Sequence, residues 1–120
     1  MMLLQVLRLD HNELASIPSE IGELQMLNEL SFADNKVQML PLTLVKLKQL
    51  RVLNFAENQV KHIPAELGEM KELRVLHMHG NRFTQLPCSF VHLAGSLDEL
   101  SLEWFMYAKP PRSKLVKRDH

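Results

Sequence analysis

LNELSFADNKV, residues 27–37, sets apolar side chains at Leu27, Leu30, Phe32 and Val37 and one side-chain amide at Asn35. The same order returns as LQVLRLDHNEL at 4–14, LRVLNFAENQV at 50–60 and LRVLHMHGNRF at 73–83. Asn12, Asn35, Asn58 and Asn81 therefore stand 23 residues apart, and Pro18, Pro41, Pro64 and Pro87 keep the same step. A fixed period of this length means one structural unit repeated, each copy too small to bury its own apolar edge and so obliged to stack on the next.

Two shorter periods operate inside the unit. Leu7-x-Leu9, Leu30-x-Phe32, Leu53-x-Phe55 and Leu76-x-Met78 alternate with polar or small neighbours, the period of a strand with one buried face. The second half changes to spacings of three, as in Ile17, Ile21 and Leu24, and opens on proline, which suits a first helical turn because its missing N–H is not needed there. The expected unit is one short strand and one short helical turn. Core sizes also compensate: bulky Phe32 and Phe55 are followed by Val37 and Val60, whereas Leu9 and Met78 are followed by Leu14 and Phe83. Close-packed layers require such matching.

The L-x-x-L-x-L-x-x-N-x-L pattern, repeated four times from Leu4 to Leu93, resembles the leucine-rich repeat family. The resemblance implies an α/β solenoid with a short parallel sheet on its concave face and short helical turns on its convex face. Four repeats and a partial fifth are expected. Asn12, Asn35, Asn58 and Asn81 are then implied to form a stacked ladder that satisfies inward-pointing backbone groups, as a side chain with both donors and an acceptor can. The Ile-Pro or Leu-Pro of each repeat looks like the intracellular 23-residue class, whose members serve as adaptors and scaffolds in signalling. Secreted relatives commonly carry cysteine-rich caps, whereas the only cysteine here is Cys88. A cytoplasmic setting is expected, with the nucleus as its alternative.

The repeat domain is expected over residues 1–107 and a basic, solvated tail over 108–120. One inserted residue at Ala94-Gly95-Ser96 precedes a fifth strand at Leu97, Leu100 and Leu102. Trp104, Phe105, Met106 and Tyr107 follow and are read as a closing layer. The tail holds five basic residues and one acidic among its last twelve, without aromatic interleaving, which argues against nucleic acid as the partner. No apolar run approaches the length of a membrane span, and MMLLQVLRLD at the start lacks a basic leader and a small-residue cleavage site.

Function is expected on the outward strand positions, because their neighbours are locked in the core. Arg8, Asp10, Glu29, Ser31, Asp34, Val52, Asn54, Glu57, Val75, His77 and His79 form the candidate partner-binding surface. Across five strands the acids Asp10, Glu29, Asp34, Glu57, Glu99 and Glu103 oppose one base, Arg8, in a chain of zero net charge. A protein with a basic or mixed-charge surface is the expected partner, guided by the field of these acids. Val52 and Val75 are expected side by side as an apolar spot near Ala56.

No Gly-rich phosphate loop, nucleophile elbow or Cys/His pairing suggests an enzyme, and no cofactor is expected. His77 and His79 share a strand face, but a metal would need a third ligand such as Glu57 or Glu103, and no metal site is assigned. Cys88 reads as a small, partly buried residue of the convex side. The expected function is a non-catalytic protein-interaction module. The alternative is a fragment or regulatory segment of a larger repeat-containing signalling enzyme such as a kinase, phosphatase or ubiquitin ligase.

Overall fold

The computed structural model describes residues 3–102. Five strands of three residues, β1 (Val6–Arg8), β2 (Glu29–Ser31), β3 (Val52–Asn54), β4 (Val75–His77) and β5 (Glu99–Ser101), form one parallel sheet in chain order. Leu7, Leu30, Leu53, Leu76 and Leu100 stand in register across it. From Leu30 onward these central leucines are fully buried. Because each pairing advances by one repeat, the sequence period becomes a spatial period, and every outward position is repeated as a row across the sheet.

Opposite the strands, single turns of 3₁₀-helix at Ser19–Glu23, Leu42–Lys46 and Ala65–Glu69 carry the chain back. Pro18, Pro41 and Pro64 stand one position before these turns, in extended backbone with φ of −67°, −70° and −66°, which corrects the expectation that proline opens the helical turn itself. The ring-fixed φ aims each proline carbonyl at the N–H three residues on, at Ile21, Leu44 and Leu67. The fourth turn is an α-helix, α1 (Phe90–Ala94), wider than its predecessors. It absorbs the inserted residue, so that β5 still pairs with β4, Val75 opposite Glu99.

The core is continuous along the stack. Phe32 and Phe55 lie nearly parallel with ring centroids 6.1 Å apart, while Val37, Val60 and Met78 are fully enclosed beside them. Phe83 is buried in the same continuous core. Leu4, Leu7, Leu9 and Leu14 of the first coil are only partly buried, covered on one side by the second coil.

On the convex side the turns approach one another unevenly. A Cβ on Gly22 would come within 2.8 Å of the Thr43 carbonyl oxygen, and one on Gly68 within 2.6 Å of the Ser89 carbonyl oxygen. These contacts let Thr43 and Ser89 donate to the carbonyls of Ser19 and Ala65 in the preceding turns. The equivalent position of the second turn is Val45, and beside it a cleft of about 500 Å³ opens between Val45, Leu47, Lys48, Leu50, Glu69 and Met70. Cys88 is exposed on this side, contrary to the expectation of partial burial. Trp104 to Tyr107 and the 108–120 tail lie outside the described residues.

Candidate functional site: the concave sheet face

Behind the face, the asparagines tie neighbouring coils together. Asn35 Oδ1 accepts the Leu14 N–H at 3.0 Å, and its Nδ2 donates to the carbonyls of Leu9, Phe32 and Ala33. Asn58 repeats the arrangement, accepting from Val37 and donating to Phe32, Phe55 and Ala56. Asn81 accepts from Val60 and donates to Phe55, Met78 and His79. Asn12 donates only within its own coil, to Leu9 and Asp10, and is exposed.

The residue before each asparagine turns the corner in the left-handed region: His11 at φ 61°, Asp34 at 60°, Glu57 at 58° and Gly80 at 74°. For the three with side chains this conformation is costly, by about 1–2 kcal/mol each for a residue without local hydrogen bonding. The turn also lifts the side chains of His11, Asp34 and Glu57 to the edge of the face. Glu57 lies over Gly80, where an added Cβ would stand 2.7 Å from its carboxylate.

Three rows make up the face itself. The first reads Val6, Glu29, Val52, Val75 and Glu99, so Val52 and Val75 are adjacent, half-buried, and flanked by a carboxylate on each side. The second reads Arg8, Ser31, Asn54, His77 and Ser101. The third, past the strand ends, carries Asp10, Ala33, Ala56 and His79, with Ala56 buried at 3% exposure.

Several candidate contact residues are engaged within the face. Ser31 is 5% exposed and donates its hydroxyl to Asp10 Oδ1 at 2.6 Å, so it supports the surface from beneath and is removed from the contact set. Asp10 Oδ1 also accepts the Ala33 N–H at 2.7 Å. Asn54 Oδ1 accepts the Ala56 N–H at 3.0 Å, fixing the corner after its own strand.

Carboxylates of the face stand close to basic or imidazole groups of neighbouring coils. Arg8 meets Glu29 at 2.8 Å, His11 meets Asp34 at 2.8 Å, His77 meets Glu99 at 3.2 Å, and His79 approaches Glu57 at 3.8 Å. His77 of β4 and His79 just past it also reach Ser101 Oγ through Nδ1, at 3.2 Å from His77 and 2.6 Å from His79. Ser101 belongs among the residues that shape the face, though the candidate contact set does not include it. A signal was present: a 23-residue period places residues 21–24 apart on neighbouring coils, and Arg8/Glu29, His11/Asp34, Glu57/His79 and His77/Glu99 all satisfy that spacing. The hydrogen bond to Asp34 raises the pKa of His11, aided by the charges of Asp34 and Asp10 and opposed by desolvation.

Among the described residues no group of three or more His, Cys, Asp and Glu is arranged to hold a metal ion. Among them, too, no helix is long and apolar enough to cross a membrane.

The leucine-rich repeat region family matches residues 1–100. No curated protein matches the chain. Among solved structures, the chain is similar to the leucine-rich repeat protein LIC12759 of Leptospira interrogans, with a TM-score of 0.75 and 28% identity over 88% of this chain and 29% of that one. It is also similar to the plant peptide hormone receptor RGFR1 in complex with RGF2, with a TM-score of 0.74 and 28% identity over 83% of this chain and 17% of that one. For the receptor kinase ectodomain GASSHO1/SCHENGEN3 of Arabidopsis thaliana, in complex with CASPARIAN STRIP INTEGRITY FACTOR 2, the TM-score is 0.71 and the identity 32%, over 85% of this chain and 13% of that one. The chain thus spans less than a third of the length of each of these. Its sheet, its turns and this match over most of its length make the chain a member of the leucine-rich repeat family.

Proposed function

We propose that the chain is a non-catalytic protein-interaction module that binds a protein segment across β2, β3 and β4 on its concave face. The observation that carries this reading is the first row, where Val52 and Val75 lie side by side between Glu29 and Glu99. Apolar contact at the centre with charges at the rim is the anatomy of a recognition surface, the centre supplying affinity and the rim orientation and association rate. Two of the similar structures are complexes of plant receptors with a named second component, RGF2 and CASPARIAN STRIP INTEGRITY FACTOR 2, which supports a binding role for this architecture. The reading extends to an adaptor or scaffold in the cytoplasm, with a basic or mixed-charge partner.

Val52, Asn54, Glu57, Val75, His77 and His79 are the proposed contacts, with Arg8, Asp10, Glu29 and Asp34 at one edge. The Ser101 hydroxyl sits in a residue only 6% exposed and joins two imidazoles, which suits an organising role better than attack on a substrate. Substituting Val52 or Val75 by glutamate is predicted to weaken partner binding by more than about 1 kcal/mol, the threshold of a central contact. Retained binding by both variants would refute the assignment.

The cleft between the second and third turns favours a second reading, in which a partner docks on the outer face beside Val45 and Met70. It predicts that Val45→Asp weakens binding while Val52→Glu does not.

A further inference from the structure

Two rows on the flank of the sheet gather charge of one sign. The first reads Gln25, Lys48 and Lys71, and the second, one place before each strand, reads Asn28, Arg51, Arg74 and Asp98. Backbone bonds fix the second row: the Arg51 N–H donates to the Asn28 carbonyl at 2.8 Å, the Arg74 N–H to that of Arg51 at 2.9 Å, and the Asp98 N–H to that of Arg74 at 2.7 Å. Lys48, Arg51, Lys71 and Arg74 therefore form a block of four cations on two adjacent coils, and like charges in neighbouring positions repel. Lys46, by contrast, lies in a row between Glu23 and Glu69. Among the described residues none of the four is in an ion pair. Arg74 donates to the carbonyls of Lys71 and Leu73, while Lys48, Arg51 and Lys71 are exposed.

The block borders the cleft between the second and third turns. Lys48 and Lys71 line it from the two coils, together with the buried Leu47, Leu50 and Met70. Val45, at its edge, stands where Gly22 and Gly68 admit the next turn. Leu42, 62% exposed and three places before Val45 on the same 3₁₀ turn, lies in line with it and extends the apolar surface. Its counterparts in the first and third coils are Ser19 and Ala65. Glu69 and Glu72 line the cleft as well, both from the third coil, whereas residues 36–51 of the second coil hold no carboxylate. The charge of the cleft is thus directional, with one wall cationic and the other mixed.

We infer that this cleft is a second docking site, for an acidic protein segment that seats one large apolar side chain beside Val45 and Met70 and lays its carboxylates against Lys48 and Arg51. The inference rests on the outer-face reading of the cleft and names its occupant; it shares no residue with the concave contact set, whose partner has the opposite charge. An apolar anchor with charges at its rim supplies affinity at the centre and orientation around it. Glu69 and Glu72 repel a carboxylate on the third-coil side, which places the acids of the segment on the second coil. Binding there also offsets the repulsion within the cationic block.

The test uses the intact chain and a fluorescein-labelled peptide with one tryptophan between two pairs of glutamates, its binding read by anisotropy at low salt. A Lys48→Glu, Arg51→Glu variant is expected to bind it at least about tenfold more weakly than the parent, the scale of two surface attractions turned repulsive. The same variant is expected to bind a peptide with lysines in place of the glutamates more tightly than the parent does, a gain that misfolding would not produce. Lys36→Glu, Lys61→Glu makes the same charge change beyond the asparagine corners, on the other flank of the sheet, and is expected to keep the acidic peptide within about twofold. No binding by the parent, undiminished binding by Lys48→Glu, Arg51→Glu, or an equal loss with Lys36→Glu, Lys61→Glu overturns the inference. Equal binding of a peptide with glutamines in place of the glutamates, still weakened by Val45→Asp, overturns the acidic partner and leaves the cleft reading standing; binding that Val45→Asp leaves unchanged overturns both. Binding of the parent to phosphatidylserine vesicles but not to the peptide makes the occupant a membrane surface and overturns the inference as well.

Discussion

The side-chain amide of Asn58 donates to the carbonyl of Phe32, 26 residues earlier, at 3.0 Å, and binds the third coil to the second behind the functional face. Its Oδ1 accepts from Val37 of the same preceding coil, so one buried side chain serves both a donor and an acceptor that no strand partner reaches. The spacing of the rows on the concave side depends on these links, because they fix the distance between successive corners.

Removing such a side chain leaves buried backbone groups without partners. Asn58→Ala and Asn35→Ala are each predicted to destabilise by about 1–3 kcal/mol. Asn12→Ala, exposed and bonded only within its own coil, is predicted to cost under about 0.5 kcal/mol. Urea midpoints decide the matter, and equal losses for Asn12→Ala and Asn58→Ala would contradict the ladder.

Glycine on the convex side gives a second contrast. A methyl group on Gly68 meets the Ser89 backbone at 2.6 Å, whereas on Gly95 its nearest neighbours stand 3.8 Å away. Gly68→Ala is predicted to lose about 1–3 kcal/mol through overpacking. Gly95→Ala, at φ −68°, is predicted to gain about 0.4–1 kcal/mol by restricting the unfolded chain. Thermal unfolding that ranks the two in the opposite order would show that the turns do not approach as described.

Much of this was legible from the recurrence of the Leu27 to Val37 pattern, since a strict period fixes strand order, register and the identity of buried positions. The proline offset was not, because a residue with φ near −65° fits both the first helical position and the extended residue before it. Nor was the fourth turn's α-helical form, although the extra residue before Leu97 required some widening. On the face, alternation does not tell which positions stay open or what each side chain does there: Ser31 and Ala56, on the outer side of the alternation, are buried. Ser31 donates to Asp10 and Asn54 accepts from the Ala56 N–H, and the corners that carry His11, Asp34 and Glu57 adopt a left-handed backbone that the period does not encode.

The pH dependence of stability has a definite sign at His11. Its pKa is raised in the folded state by the hydrogen bond to Asp34, so the pair contributes fully below the unfolded value of 6.5 and its contribution is lost as pH rises through the folded value. The gap in urea midpoint between the parent chain and His11→Ala is therefore expected to be wider near pH 5.5 than near pH 8.5. A gap that widens toward alkaline pH would contradict the pairing.

The central claim is that binding occurs on the concave face, and capture of partners by three purified chains tests it most directly. The parent chain, a Val52→Glu, Glu29→Lys variant of the sheet face, and a Glu20→Lys, Glu66→Lys variant of the convex side are immobilised and offered the same cell extract, and bound proteins are quantified by mass spectrometry. The account predicts a set of proteins retained by the parent and by the convex variant within about twofold, and depleted more than about fivefold on the concave variant, as loss of a central contact requires. Proteins held equally by the parent and the concave variant, yet lost from the convex one, would place the binding surface on the outer face and contradict the claim.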